Sequence, residues 1–365
     1  MTGRTGKWLR AACAIATVAL AATGCSSGGG TSTTTATSLP KYGPAEKTTL
    51  NVGVVPAMDS AGFFVAMHDG LFTQEGLKIN YQPETSSETA VTQQLGGTLD
   101  ISGGNYVSYI NEVALHAAPL EIVAEGSIMT PGAQVIYTKA NSPIKSVSQL
   151  RGQKIAVNAP NNIDYLLDVA VLSGYGIKVS DSNFPASPVP FPTMAGTVAA
   201  NNSPYVAATL PEPFASLAEQ NQGMVPLVDL DQGAAQQFPI EGYVVTKQWA
   251  EKNPNSLERF LAALEEGQEI ADTNRNAVEQ AFENITGPNG NTSPAVAGPY
   301  GRVPPSIAAV MALNTYPIGV DETRIQRVAD VMQQFGLLPS HFDVSSMIIP
   351  SSEFNFAPFE GGSSS

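Results

Sequence analysis

Asp59, Asn105, Asn158, Asn161, Asn162 and Glu212 each follow closely on a short apolar run. Beside them stand Met58, Ser60, Gly62 and Phe63, then Gly103, Gly104 and Tyr106, and finally Phe214. These residue types suit recognition of a small molecule. Amides and carboxylates hold its polar groups, flat rings stack on it, and Gly103-Gly104 lets backbone amides come close. The same loops carry Asp59, Asp164 and Glu212 but no Lys or Arg, so a neutral or cationic ligand, such as a heteroaromatic amine, fits better than an anion relying on charge pairing. Each feature also has a plainer explanation. Gly103-Gly104 makes a tight turn, Phe63 and Tyr106 pack a core, an asparagine caps a helix, and Pro211-Glu212-Pro213-Phe214 starts one.

Bond-making chemistry finds little support. Cys13 and Cys25 are the two cysteines, so the chain beyond residue 25 has no thiol nucleophile, disulfide or cysteine metal cluster. His68, His116 and His341 lie apart, at two helix ends and in a late loop, away from any nucleophile pattern. No Gly-x-Ser-x-Gly elbow, phosphate loop or His-Glu-x-x-His occurs. The expectation is therefore no catalytic residue, no metal and no cofactor.

Alternating strands and helices must position these loops. Thr49–Val55, Leu77–Tyr81, Leu99–Ser102 and Leu120–Ala124 read as strands, and Ala61–His68, Glu88–Leu95 and the Tyr106–Ala117 stretch as helices between them. A second unit opens after Asn141-Ser142-Pro143, with a strand at Lys154–Asn158 and a helix along Ile163 to Gly174. Strands at Tyr205–Leu210 and Tyr243–Thr246 return, and amphipathic helices follow from Asn253-Pro254 and around Ile325–Met332. This is α/β order, with layers built on largely parallel sheets. In such sheets ligands gather beyond the carboxyl ends of the strands, where the chosen residues lie.

The N-terminus gives an address. Arg4, Lys7 and Arg10 precede an uncharged run from Ala11 to Thr23, too short to span a bilayer and closed by Ala22-Thr23-Gly24 before Cys25. This segment reads as a signal peptide over residues 1–24. Small residues before a cysteine resemble a bacterial lipobox, which implies a palmitate-type lipid anchor on Cys25. A Ser/Gly/Thr-rich tether over 25–47 follows. Loss of the three basic residues moves the formal charge from −14 to −17, which disfavours nucleic acid and anionic lipid as direct partners.

Val52-Gly53-Val54-Val55-Pro56, Asp69-Gly70-Leu71-Phe72 and Glu75-Gly76-Leu77 resemble the opening of ABC-transporter substrate-binding proteins of the nitrate, sulfonate, taurine and thiamine-pyrimidine type. Further matches follow in order at Gly97–Ile101, Ile144–Val157, Pro211–Phe214, Lys252-Asn253-Pro254 and Phe335–Leu338. The resemblance implies a type II periplasmic-binding-protein-like fold, in which two α/β lobes close on a ligand in the cleft. Lobe one then comprises 48–139 plus 243–365, and lobe two 140–242. It further implies a monomer on the outer face of the cell membrane, which hands a small molecule or oxyanion to an ABC permease and its ATPase. The alternatives are an enzyme of thiamine-pyrimidine-synthase type on the same fold, or a surface sensor or adhesion protein using the loop from Gly287 to Pro305.

Overall fold

Apolar runs short enough for strands and helices with one buried stripe assemble here into two mixed sheets wrapped in helices. The computed structural model describes residues 43–179, 183–184, 188–284 and 303–349. Cys25, the signal segment, the tether up to Tyr42 and most of the loop after Gly287 lie outside the described residues. The strands are β1 (Thr49–Val54), β2 (Lys78–Pro83), β3 (Ile101–Asn105), β4 (Leu120–Ile128), β5 (Gln134–Lys139), β6 (Ile155–Ala156), β7 (Ala207–Pro211), β8 (Met224–Asp229) and β9 (Pro239–Thr246). The first sheet has the order β2-β1-β3-β9-β4 and the second β6-β7-β5-β8.

One strand in each sheet runs against the rest. β1 pairs in parallel with β2 and β3, whereas β9 is antiparallel to β3 and β4. In the second sheet β6 and β7 are parallel, and β5 is antiparallel to β7 and β8. The reversed strands are the two that follow a crossing between sheets, so their first residues lie at the same edge as the last residues of their neighbours.

Strand pairing also moves the crossings. The expected boundary at 139/140 fails because β5, ending at Lys139, is laddered into the second sheet. The boundary at 242/243 fails because β9 is laddered into the first from Pro239 onward. The chain therefore crosses at 129–133 and returns at 230–238. The two crossings run side by side: the Met129 N–H donates to Phe238 O at 2.8 Å, and the Leu230 N–H to Gln134 O at 3.0 Å.

Helices pack on the sheets as their caps and apolar stripes dictate. In chain order the eight that matter to the site and its support are α1 (Ala61–His68), α2 (Leu71–Gln74), α3 (Ser87–Leu95), α4 (Tyr106–His116), α5 (Ile163–Gly174), α6 (Phe191–Ala199), α7 (Phe214–Gln222) and α8 (Lys247–Lys252). Ser86 and Thr89 form a reciprocal capping box at the start of α3. Asn105 caps α4 by accepting the Ser108 N–H, and Asn162 caps α5 by accepting the Tyr165 N–H. One core lies under the outer face of the first sheet, where Phe63, Phe64, Phe72, Tyr81, Tyr243 and Phe260 cluster. A second continues from Ile122 and Val244 through the crossings to Ile136 and Leu166. A third fills the far side of the second sheet and includes Val55 and Ala57 of the β1 loop, so the two sheets are also joined by apolar packing. None of the described helices is long and apolar enough to cross a membrane.

Candidate functional site

The carboxyl ends of β1, β2 and β3 face those of β6 and β7, and the facing loops bring acids together. After β1, Asp59 is partly buried, and its Oδ1 accepts from Asn314 Nδ2 at 2.7 Å. After β6, Asp164 in the first turn of α5 is 0% exposed. It accepts from the side-chain amide of Gln134 and from the Asn158 N–H at 3.3 Å. After β2, Glu88 in the first turn of α3 accepts from the Ser108 hydroxyl through Oε1, while its buried Oε2 has no hydrogen-bond partner among the described residues. At the start of β9, Glu241 is 3% exposed and accepts from Ser60 Oγ at 2.5 Å.

Burial and crowding of like charge push these acids up. Burial raises Asp164 from its ordinary 3.8 to about 8, with the negative charges of Asp59 and Glu88 adding to the effect. Burial raises Asp59 to about 6 against the lowering hydrogen bond from Asn314. Glu241 is also raised, first by burial and then by Asp59. Arg324 is committed to another acid, donating to both oxygens of buried Glu125, each at 3.0 Å.

A cavity of about 390 Å³ opens at the mouth of the cleft. Glu88, Ser108 and Asn111 line it from the first sheet's helices, and Pro160, Asn161 and Tyr165 from the second sheet's side. The Asn111 side-chain amide donates to Asn161 O at 3.1 Å, a direct bond between the two walls. A larger cavity of about 700 Å³ lies at the opposite ends of the strands, among Thr48, Thr49, Phe72 and Lys78. It is separated from every cleft loop and lacks their acids.

The residues expected from the sequence divide into three groups. Asn161 lines the mouth cavity, and Asp59 is partly buried in the loop after β1 with its carboxylate on Asn314. Ser60, Asn105, Asn158, Asn162 and Glu212 sit at the cleft edge with their side chains already bonded within the protein. Asn105 donates to Ser87 Oγ at 2.8 Å while capping α4, and Asn158 and Asn162 bond to each other. Glu212 accepts from the Ser216 N–H at 3.0 Å and hydroxyl at 2.8 Å, as the helix-start alternative implies.

The aromatic and apolar expectations are corrected. Phe63 is 0% exposed, with its ring against Phe64, Phe72 and Tyr81. Phe214 stacks on Phe191 at 5.3 Å between centroids, on the far side of the second sheet. Tyr106 and Met58 are also enclosed, and Tyr106 lies so close to Gly242 that a Cβ there would fall 2.5 Å from its ring. Gly104 is a place of tight packing, where a Cβ would strike Ser87, rather than an open backbone cradle. None of the rings expected from the sequence lines the mouth; the rings there belong to Tyr165 and His116, beside the acids and amides.

Sequence reasoning passed over Glu88, Ser108, Asn111, Gln134, Glu241 and Asn314. Glu88 carried a usable signal, since its capped helix start also follows a parallel strand. Gln134 and Glu241 begin the reversed strands, so a rule that inspects only strand ends could not reach them.

Comparison with known proteins agrees with this architecture. The family model described as NMT1-like family matches residues 43–284. The chain is 26% identical over 220 residues to the aliphatic sulfonates-binding protein of Escherichia coli (strain K12), an overlap of 60% of this chain. It spans 63% of the length of that curated relative. The alkanesulfonate-binding protein SsuA from Xanthomonas axonopodis pv. citri, bound to MOPS, superposes with a TM-score of 0.65 at 17% identity, covering 84% of this chain and 99% of that one. The periplasmic nitrate-binding protein NrtA from Synechocystis PCC 6803 gives 0.64 at 16% identity, covering 84% and 87%. These likenesses show a periplasmic-binding-protein fold.

Proposed function

The chain belongs to the NMT1-like family, and from that premise we propose that it is the extracellular solute-binding component of an ABC importer. It captures a small organic molecule or oxyanion in the cleft and delivers it to a membrane permease. The observation that carries the reading is the convergence of loops from both sheets on one cleft, with the sheets joined by two paired crossings. A ligand touching both walls favours the closed arrangement by the difference in its contacts with the open and closed forms. Further support comes from the relatives, whose names give sulfonate and nitrate as their ligands.

Binding without catalysis is the form of the proposal. Among the described residues, His68 and His341 face surface carboxylates of Asp69 and Asp330, and no cluster of His, Cys, Asp or Glu could hold a metal ion. The test is a thermal-shift screen of the purified protein against alkanesulfonates, nitrate, pyrimidines and amines, with each stabilising compound then followed for turnover. Stabilisation with the compound recovered intact is expected, because a ligand that binds only the folded state raises stability by mass action. Consumption of the compound would instead establish an enzyme.

The proposal includes the address. Lipid on Cys25 and the Ser/Gly/Thr-rich stretch after it would hold the binder beside its permease as a monomer on the outer face of the membrane. A Cys25→Ala variant is expected to fold and bind normally while leaving the membrane fraction. Its retention there would reject the anchor.

A further inference from the structure

The two walls of the cleft meet at two places of different character. At the first, buried Glu212, just after β7, takes two N–H groups from the first sheet's side: its backbone oxygen accepts from Met58 at 2.8 Å and its Oε1 from Ala312 at 3.4 Å. Val55 and Ala57 from the loop after β1 share one apolar cluster with Phe191 and Phe214 of the second sheet. The residue after Ala312, Leu313, accepts through its backbone oxygen from the hydroxyl of Thr130 in the outgoing crossing. Parting the walls here would break both bonds of Glu212 and expose the cluster to water, so this end belongs with the hinge.

At the mouth the walls are joined by an exposed bond, from Asn111 Nδ2 to the backbone oxygen of Asn161 at 3.1 Å. That oxygen can only accept, so the amide of Asn111 must face it, and Asn111 Oδ1 is left buried with no partner among the described residues. The orientation of the side chain thus follows from the bond across the mouth rather than from its own acceptor. Both partners are held in place. Asn111 lies on the stripe of α4 that lines the cavity, with Ser108, Glu112 and Leu115 at helical spacing. Asn161 has a left-handed backbone, φ 53°, a conformation that asparagine tolerates better than most residues. It stands between Asn158 and Asn162, which bond to each other while Asn162 caps α5.

We propose, resting on the solute-binding reading above, that the Asn111–Asn161 bond is a latch across the mouth, and that Asn111 is a positioning residue for solute capture. It acts through closure: the latch sets how much of the protein is closed before a solute arrives, and the affinity for any solute scales with that fraction. Opening breaks the latch, whose groups water can satisfy, while the contacts of Glu212 stay made. The mouth therefore swings and the Glu212 end does not.

Small-angle X-ray scattering of the purified protein without solute tests the latch. Asn111→Ala removes the bond, and Asn111→Asp keeps the shape of the side chain while replacing its donors with a charge that the facing carbonyl repels. Each should raise the ratio of open to closed protein by about 2–10-fold, the scale of one hydrogen bond, with the larger effect in Asn111→Asp. The change is read as a greater radius of gyration, with unchanged circular dichroism showing that the variants are folded. Titration with ethanesulfonate, nitrate and putrescine gives a second readout. Every one of them that binds the parent should bind Asn111→Ala more weakly by one common factor, because the closed fraction scales all apparent affinities alike. Equal radii in the parent and both variants overturn the inference, and so does a loss of affinity confined to one of several compounds that bind, since Asn111 would then be a contact residue. Turnover of a bound compound rejects the solute-binding reading instead and leaves the latch to the scattering result.

Discussion

Asp100 and Asp164 are both buried aspartates beside a sheet, yet their surroundings are opposite. Asp100 accepts from Lys47 Nζ at 2.7 Å through both oxygens, from the Asn51 N–H at 2.7 Å and from Trp249 Nε1 at 2.8 Å. These donors tie the segment before β1 and the helix α8 to the loop that leads into β3. Asp164 has two neutral amide donors and two negative neighbours. The difference separates a carboxylate whose charge the fold balances with a lysine from one that it surrounds with neutral donors and like charge. Burial alone does not make the distinction, since both side chains are nearly inaccessible.

Asp100→Ala is the strongest way to break the comparison. It strands the Asn51 and Trp249 N–H groups and frees Lys47, with an expected loss of about 3 kcal/mol in urea unfolding. A loss no larger than that of a surface change would mean that Asp100 is not balanced in the sense described. Arg324→Met probes another balanced acid, Glu125, which is 1% exposed. Glu125 would be left with the Asp321 N–H as its remaining named donor, and because Arg324 is itself 37% exposed the expected cost is about 2 kcal/mol rather than the full value of a buried pair.

Asp164→Asn should move stability the other way and by the least. The folded state raises this carboxyl from 3.8 to about 8, so the stability it contributes is fully present below about pH 4 and is lost as pH rises to about 8. The asparagine variant avoids that loss. Melting curves taken without solute should be nearly equal at pH 4 and should favour the variant by about 2–4 °C at pH 8, corresponding to about 1 kcal/mol in a domain of this size. A variant less stable than the parent at pH 8 would place Asp164 with Asp100 and remove the contrast.

The same division decides how far the sequence could be read. Alternation of strand and helix exposed the α/β class, and β1, α1 and α5 fall within a residue or two of their expected bounds. β5 and β8 escaped notice. β5 begins at Gln134, only two residues past the Pro131-Gly132 turn, and β8 carries Pro226 and an exposed Val225 at the sheet edge, where a strand needs less apolar character. Asp59 was readable because it follows a strand that runs the common way. Asn314 was not, because nothing local connects a residue after a turn-rich loop to a carboxylate 255 positions earlier. The rings misled for a physical reason: position after a strand fixes where a residue begins, but an α-helical start can turn the same side chain inward, as it does for Phe63 and Phe214.

The paired crossings have a mechanical consequence. With Met129 bonded to Phe238 at one end and Leu230 to Gln134 at the other, 129–133 and 230–238 form a two-ply ribbon rather than two loose cords. Such a ribbon resists stretching and sideways slip while yielding to bend and twist. Opening should therefore resemble a book turning on its spine, and the pages should meet again in the same register after every cycle.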